Sequence, residues 1–410
     1  MRVNKDRIWK RLETLAEIMD VRDGMYSRYP FTESYRKVQT LAAEWMQEAG
    51  LTTRVDAADN LIGRKEGSEG GPAIVAGSHL DTTANGGAYD GIIGVVGAIE
   101  AVQCMKDAGI VSKYPIEVIV FNNEEGTRFA PGLFGSKCIT GYLAKDYVSR
   151  SVDPDGISFT EAMKTYGLDA SKLPEAKRDP SEFKHFFELH IEQAGLLESK
   201  DIPVGIVSGI SGILQNQFTV EGQIGHAGAV PMEGRRDPLP AVAEIALEIE
   251  ATALRLGNEI RGTVGVFDPS PDAHNIIPSA VSFSMDFRCL HAETLAKAKE
   301  HMLDFINKTV KKRNLVLKPK TEDFVNPIFC DEAVVNLMTD GAKELGIETL
   351  YMPSGAAHDA MVMAKICPMN MIFVRSKDGL SHCRDEYSSP EDIAMGADVL
   401  LYAMAKLCQE

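Results

Sequence analysis

Long apolar runs, an excess of basic residues and paired cysteines are all missing from this 410-residue sequence. The apolar stretch at residues 91–99 is far shorter than the ~20 apolar residues that cross a membrane. The 59 acidic residues outnumber the 43 basic ones and give a net charge of −16, which repels phosphate backbones and anionic lipid. We therefore expect no nucleic acid and no membrane as partners, and a small solute instead.

The cysteines indicate a reducing compartment. There are seven, an odd number scattered without a CxxC pair, which favours free thiols over a disulfide framework. The first twenty residues mix both charge signs and lack the apolar stretch of a signal peptide. These features predict a cytoplasmic protein.

Both ends of the sequence show an α/β pattern. Hydrophobic residues recur with the helical period in five segments, at residues 6–19, 32–49, 91–108, 332–345 and 390–407. Runs typical of β-strands occupy residues 73–78, 116–122 and 371–375. This alternation predicts an α/β domain with a mostly parallel sheet flanked by helices, built from residues 1–210 and 327–410. Only residues 152–184 look irregular over a long stretch.

The middle of the chain follows a different order. After a glycine-rich step at residues 209–212, the pattern predicts strand 214–221, helix 238–256, strands 263–267 and 280–288, helix 292–310 and strand 315–319. Apolar and polar residues alternate strictly from Val281 to Arg288, so that one sheet face packs on helices and the other meets solvent or a partner. We expect residues 211–326 to form an inserted α+β domain.

Polar residues suited to metal binding cluster where the predicted strands end. Open α/β sheets usually place their ligands at such strand ends. The clustered residues are His79, Asp81, Asp90, Glu124, Glu125, His190 and His382. Imidazole nitrogen and carboxylate oxygen atoms are the expected ligands of Zn²⁺, Mn²⁺ or Co²⁺, and five such groups with one bridging carboxylate suit a pair of ions. Each residue alone has a structural explanation, but their coincidence favours a metal site.

Nine sequence blocks, in order, resemble the metal-dependent M20 amidohydrolases and peptidases, in particular their hydantoinase/carbamoylase branch. The blocks are GSHLDT (77–82), YDG (89–91), NEEGTRF (123–129), ELHIEQ (188–193), GHAG (225–228), RRDP (235–238), NIIP (275–278), PSGAAHDA (353–360) and MIFVRSKDGLSH (371–382). The resemblance covers nearly the whole chain. It implies a catalytic domain with two divalent metal ions, an inserted domain that acts as a lid and in dimerisation, and a homodimer.

The resemblance also implies a role for each residue of the metal site. His79, Asp90 and His190 would hold one ion. Asp90 would be shared with the second ion, which Glu125 and His382 would also hold.

Further catalytic roles follow from the same resemblance. Glu124 would be the general base, and Asp81 would fix the tautomer of a ligand imidazole. His226 matches the family residue that donates to the tetrahedral oxyanion across the subunit interface. Without the resemblance, a turn with a surface histidine would be the favoured interpretation of the GHAG block. His358 either lines the site or caps its own helix.

Other residues are expected to bind substrate. Arg288 lies on the polar face of its strand and offers a planar fork for a carboxylate, with Asn275 and Gln215 adding hydrogen bonds. The alternation alone leaves open a surface arginine paired with a nearby acid, whereas the resemblance implies that this position binds the carboxylate end of the substrate. Gln193 would hold a ureido group beside the metals, and Gly355 would line the site.

The favoured activity is hydrolysis of the C–N bond of an N-carbamoyl-L-amino acid, which releases amino acid, ammonia and CO₂. Allantoate and N-carbamoyl-β-alanine are alternative substrates with the same ureido group. An aminoacylase or peptidase, and a non-catalytic dimeric binding protein, are further alternatives. The sequence departs from the branch at Asn122-Asn123 and at Cys383-Arg384, which affects the expected substrate more than the reaction type. Because no proposed ligand is lost, an enzyme is the better interpretation.

Overall fold

The computed structural model of the chain describes residues 1–22, 24–257 and 260–409. Its helices are α1 (Lys5–Ala16), α2 (Glu33–Glu48), α3 (Ile92–Asp107), α4 (Phe134–Thr140), α5 (Tyr147–Arg150), α6 (Phe159–Tyr166), α7 (Leu196–Ser199), α8 (Pro238–Leu256), α9 (Ala292–Lys312), α10 (Glu332–Glu344), α11 (Asp359–Met363) and α12 (Pro390–Leu407). Within the described ranges, no helix combines the length and the apolar character needed to cross a membrane.

The strands are β1 (Asp20–Arg22), β2 (Met25–Ser27), β3 (Thr52–Val55), β4 (Leu61–Lys65), β5 (Ala73–His79), β6 (Ile116–Phe121), β7 (Phe183–Ile191), β8 (Val204–Ile210), β9 (Gly212–Glu221), β10 (Gly225–His226), β11 (Ile260–Thr263), β12 (Phe267–Ser270), β13 (Ile276–Ile277), β14 (Ala280–Cys289), β15 (Val316–Val325), β16 (Ile328–Phe329), β17 (Thr349–Ser354) and β18 (Met369–Val374).

The chain forms two compact units. Unit 1 comprises Met1–Ser208, Cys330–Met352 and Ala357–Glu410, and unit 2 comprises Gly209–Phe329 and Pro353–Ala356. The short second segment joins unit 2 through its carbonyls: Ser354 accepts a 2.8 Å hydrogen bond from the Ser211 amide. The periodicity of the sequence could not predict that residues 353–356, so far along the chain, belong to unit 2. The roles expected for the two domains, catalysis and a lid, stay predictions.

Unit 1 contains a mixed sheet with strand order β8-β18-β7-β5-β6-β4-β3. The four central strands β18, β7, β5 and β6 run parallel, and their outer neighbours are antiparallel. Every residue of β5 and β6 is buried, as expected for central strands covered on both faces. The α/β fold is therefore confirmed, and the carboxyl ends of four strands meet at one sheet edge.

Unit 2 contains an antiparallel sheet with strand order β11-β14-β9-β15. Buried and less buried residues alternate along β14 and β9, with the apolar positions inward as predicted. Phe283 pairs with Phe218 across the two strands. Their inner residues pack with α8 and α9 in one apolar core that includes Ile245 and Met302. The opposite face of the sheet is polar, as the alternation predicts.

Two local predictions are wrong. Residues 152–184 are not wholly irregular, because α6 begins after the Ser158 cap and ends at Gly167. The strand predicted at 263–267 is interrupted: residues 264–266 lie between β11 and β12, and the Ser284 hydroxyl accepts the Gly265 and Val266 amides there at 3.0 and 2.9 Å. Three residues (264–266) lie opposite two residues of β14 here, as at a β-bulge, and the Ser284 hydroxyl takes the place of backbone acceptors.

Candidate metal centre

The parallel strands of unit 1 bring the predicted metal ligands to one edge of the sheet. His79 ends β5, and His190 is the last residue but one of β7. The remaining ligands lie in the segments after β5, β6 and β18, and they are Asp90, Glu125 and His382. Five side chains from four segments therefore converge because the strands that precede them are parallel neighbours.

The Asp90 carboxylate lies at the centre of this group. Its Oδ1 is 3.1 Å from His190 Nε2 and 3.7 Å from His79 Nε2. Its Oδ2 is 3.3 Å from His382 Nε2, which is also 3.7 Å from Glu125 Oε2. Two sets of ligand atoms, each within 4.8 Å, thus share Asp90: one with His79 and His190, the other with Glu125 and His382.

Gly91 makes the close approach of His79 possible. Its φ is +68°, a conformation that favours glycine, and an added Cβ would lie 2.1 Å from His79 Nε2. Any side chain at this position would therefore push the imidazole away from Asp90.

Main-chain carbonyls orient the two buried imidazoles. His79 Nδ1 is 3.0 Å from the carbonyl oxygen of Asp81, and His190 Nδ1 is 3.0 Å from that of Ile191. If both Nδ1 atoms donate these bonds, both Nε2 atoms are free to bind a cation.

The Asp81 carboxylate has a different contact from the one we expected. Its Oδ1 lies 3.8 Å from His79 Nδ1, beyond a hydrogen bond. Its two oxygens instead accept the backbone amides of Glu124 and Glu125, at 3.1 and 3.0 Å. The tautomer of His79 is thus set by the Asp81 carbonyl, and the carboxylate positions the glutamate pair.

The electrostatics of the centre are dominated by buried carboxylates. Burial, together with the charges of Glu125 and Asp359, raises the pKa of Glu124 well above its usual value. Burial and the charge of Asp90 do the same to the pKa of Glu125. Burial opposes ionisation of Asp90 as well, but the charge and hydrogen bond of His190 outweigh it and hold the Asp90 pKa well below its usual value.

This donor set fits divalent cations. It offers imidazole nitrogen and carboxylate oxygen atoms, the ligands of Zn²⁺, Mn²⁺ and Co²⁺. Like charges crowd the site, and a bound cation would reverse the unfavourable pKa shifts of Glu124 and Glu125. The geometry and the charge therefore point to the same kind of occupant.

Another group of potential ligands, Glu188, His190 and His358, is better explained as structural support for the centre. The Glu188 oxygens already accept the Ser78 hydroxyl and the Ala360 amide, both at 2.8 Å. The His358 ring contacts the His190 ring edge-on at 4.5 Å between centroids. His358 precedes α11, but its side chain makes no capping hydrogen bond, so the predicted capping alternative is wrong.

Two polar side chains contact the shared carboxylate from outside the predicted ligand set. Gln193 Nε2 and Ser381 Oγ both donate to Asp90 Oδ2 at 2.7 Å. Gln193 thus lies beside the centre, and its buried Oε1 has no hydrogen-bond partner in the described structure. Ser381 was not predicted as a site residue, although its position next to His382 was a usable signal.

Two predicted residues of unit 2 lie next to each other on its surface. His226 pairs with Ile276 in the short β10–β13 ladder, and the Ala227 amide donates to the carbonyl of Asn275 at 2.9 Å. His226 is exposed, and its Nδ1 accepts the Gly228 amide at 3.1 Å. A neutral ring held in this way carries its proton on Nε2, where it can be donated.

Arg288 is already paired with an acid. Its Nε and Nη2 donate to the two oxygens of Asp286 at 3.0 and 3.2 Å, and its Nη1 donates to the carbonyl of Gly355 at 2.9 Å. Gln215 Nε2 donates to the same Asp286 carboxylate at 3.1 Å. Three of the five guanidinium N–H groups are thus used in this network, which leaves two that can donate to a further acceptor.

The sheet edge, the two ligand sets that share Asp90 and the inserted unit define a class of hydrolase, and the sequence agrees. The chain belongs to peptidase family M20/M25/M40, whose sequence profile matches residues 77–406. The resemblance to this metal-dependent family is therefore confirmed.

Within that family the chain is similar to amidohydrolases of the hydantoinase/carbamoylase type. It is 43% identical over 408 residues to the N-carbamoyl-L-amino acid amidohydrolase of Geobacillus stearothermophilus, covering 99% of each chain. It is 33% identical over 404 residues to the allantoate amidohydrolase of Bacillus subtilis strain 168, covering 98% of each. A solved structure of a hydantoinase/carbamoylase family amidase from Burkholderia multivorans superposes with a TM-score of 0.90 at 32% identity, over 100% of this chain and 99% of that one.

Proposed function

We propose that this protein hydrolyses N-carbamoyl-L-amino acids. Water adds to the ureido carbon, the bond to the terminal nitrogen breaks and ammonia leaves. The remaining carbamate loses CO₂ to give the free amino acid. The observation that carries this proposal is a pair of ligand sets sharing Asp90 in a chain that aligns along almost its whole length with an N-carbamoyl-L-amino acid amidohydrolase.

The proposed cofactor is a pair of divalent ions, Zn²⁺, Mn²⁺ or Co²⁺. His79, Asp90 and His190 would hold one ion, and Glu125 and His382 would hold the other together with Asp90. When bound, such ions lower the pKa of water and polarise the ureido oxygen.

Glu124 is the proposed general base. One of its carboxylate oxygens takes the proton of the attacking water and passes it to the leaving nitrogen. Its position supports this role, since Asp81 holds its amide and its Oε2 lies 3.6 Å from His79 Nε2.

The oxyanion of the tetrahedral intermediate needs a hydrogen-bond donor. We assign this role to Nε2–H of His226 from the second subunit of a homodimer. Exposure of His226 leaves it available to a neighbouring chain. Leu247 and Leu254 on the outer side of α8 are 68% and 77% exposed, which gives unit 2 an apolar strip suited to a partner.

The carboxylate end of the substrate is assigned to Arg288. Its two remaining N–H groups can bind a carboxylate, and its pairing with Asp286 holds the guanidinium in place. Asn275, Gln215 and Gly355 would complete this part of the site. Gln193, with a free acceptor next to Asp90, would hold the ureido group.

The cytoplasm is the proposed compartment. All seven cysteines are free thiols, and six of them are buried, which suits a reducing environment.

A screen that measures both released ammonia and released free amino acid tests the proposal. The metal-loaded protein would be incubated with N-carbamoyl-L-amino acids, allantoate, N-carbamoyl-β-alanine and N-acetyl amino acids, with E124Q as the matched inactive control. We expect wild-type turnover to be fastest on N-carbamoyl-L-amino acids. Turnover only of acetyl amino acids would contradict the proposal. Faster turnover of allantoate would establish the second candidate, which the Bacillus subtilis relative favours.

A further inference from the structure

Glu386 joins two of the segments that carry the proposed metal ligands. Its Oε1 accepts the backbone amides of Tyr89 and Asp90, both at 2.9 Å. Its Oε2 accepts the amide of His382 at 3.3 Å. Asp90 and His382 are 292 positions apart in the sequence, and this one carboxylate holds the backbone of both. The Glu386 side chain is only 4% exposed, so water does not compete freely for these bonds.

The surroundings of Glu386 are shaped to keep it in this position. An added Cβ at Gly87 would lie 2.3 Å from Glu386 Oε1 and 2.6 Å from its Cβ. The backbone turn that precedes Asp90 is therefore packed directly against the carboxylate. Because the φ of Gly87 lies outside the left-handed region, alanine there is excluded by contact with Glu386 and not by backbone strain.

We infer that Glu386 is a positioning residue that holds Asp90 and His382 at the separation needed to bind the second metal ion. This inference rests on the proposed function. Glu386 contacts neither substrate nor metal in this role and acts through the backbone of two ligands. Both of its oxygens are needed, because Oε1 accepts two of the three N–H groups and Oε2 accepts the third.

Aromatic rings next to this carboxylate provide an optical readout. Trp9 stacks on Tyr89 at 6.0 Å between ring centroids, and it contacts Tyr387 edge-on at 6.3 Å. Tyr89 and Tyr387 directly adjoin Asp90 and Glu386. The sequence contains two tryptophans, so a W45F background leaves Trp9 as the sole indole and its fluorescence reports the packing of these two segments.

The test measures binding of Mn²⁺ to chelator-treated protein by equilibrium dialysis with elemental analysis, and by Trp9 fluorescence in the W45F background. Glu386→Gln keeps the side-chain volume, but its side-chain NH₂ group would face a backbone N–H, so that two donors oppose each other. We expect the wild type to bind two ions, and Glu386→Gln to bind the second at least 10-fold more weakly, with a smaller change for the first. Gly87→Ala displaces the carboxylate of Glu386 without changing its chemistry and should weaken the second site in the same way. It keeps the inference testable if Glu386→Gln folds poorly.

Asp398→Asn is the matched control. Asp398 is a buried carboxylate that accepts the Val3 amide at 2.7 Å and pairs with Arg2, away from the ligand segments. It should lower stability without changing either Mn²⁺ affinity. Wild-type affinities for both ions in Glu386→Gln and Gly87→Ala would overturn the inference and leave the proposed function intact. A wild type that binds no Mn²⁺, Zn²⁺ or Co²⁺ would overturn the metal proposal and the inference with it.

Discussion

In the proposed mechanism, the two adjacent glutamates have separate roles: Glu125 binds metal and Glu124 transfers protons. Both amides are held by Asp81, but the carboxylates point to different imidazoles, Glu124 towards His79 and Glu125 towards His382. We predict that Glu124→Gln lowers the rate by roughly 10²- to 10⁴-fold while metal content stays nearly unchanged, because only an acid–base group is lost. Glu125→Gln should instead reduce metal content. Steady-state kinetics with elemental analysis would measure both, and metal loss confined to Glu124→Gln would require the two roles to be exchanged.

Asp59 supplies a stability prediction with a pH signature. Burial raises its pKa to about 7, and its Oδ2 is buried without a hydrogen-bond partner in the described structure. Its folded pKa is above the unfolded value near 4, so the native state binds more protons between these values and stability falls as pH rises from about 4 to about 7. The φ of +64° at Asp59 is one that asparagine tolerates.

Asp59→Asn should therefore stabilise the protein at pH 8, by on the order of 1–3 kcal/mol, and by less at pH 5. Denaturant unfolding at the two pH values would measure the difference. An equal change at both pH values would show that ionisation of Asp59 does not limit stability.

At the scale of secondary-structure elements, the polar faces of β9 and β14 carry the proposed carboxylate site. Arg288 and Asp286 lie on one strand, and Gln215 reaches Asp286 from the next. Arg288→Lys should lower kcat/KM for the acid substrate, with a loss on the order of 1.5–3 kcal/mol if one charge-assisted hydrogen bond is lost.

The amide of the same substrate provides the comparison, because it lacks the charge being recognised. Wild-type kcat/KM for the amide should already be low and change little in the variant. Equal losses on acid and amide would mean that Arg288 supports the sheet or the dimer.

Elements with a strong periodic pattern were predictable from the sequence, and those defined by side-chain contacts were not. Helices α8 and α12 have the predicted bounds, and the alternation along β14 gave its buried face. Strand β8 was missed because Gly205 and Gly209 interrupt its apolar run, and α6 because its signal is short.

The same division holds for the site. The predicted strand ends were enough to place the imidazole and carboxylate side chains near one another, because parallel neighbouring strands bring their carboxyl ends together. The contacts of the Asp81 carboxylate, the Arg288–Asp286 pair and the Glu386 bridge depend on side-chain orientation across distant segments, and no local pattern encodes it.

At the scale of the whole molecule, the homodimer proposal makes each active site a product of two chains. Glu124→Gln and His226→Ala chains should both be inactive alone. After subunit exchange, one site of each heterodimer combines an intact Glu124 with an intact His226, so a mixture should regain part of the wild-type rate. Ammonia release from the mixture would measure this recovery. Verified exchange without recovery would show that each site is completed within its own chain.

The most direct test of the central claim is the dependence of ureido hydrolysis on bound metal. The protein would be stripped by exhaustive chelation, its residual metal measured, and ammonia release from an N-carbamoyl-L-amino acid followed as Mn²⁺, Zn²⁺ or Co²⁺ is added back. Because the two proposed ions would share Asp90 and be held by its imidazole and carboxylate neighbours, turnover should vanish on stripping and return in proportion to bound ion. Full turnover by protein with no measurable metal would contradict the account.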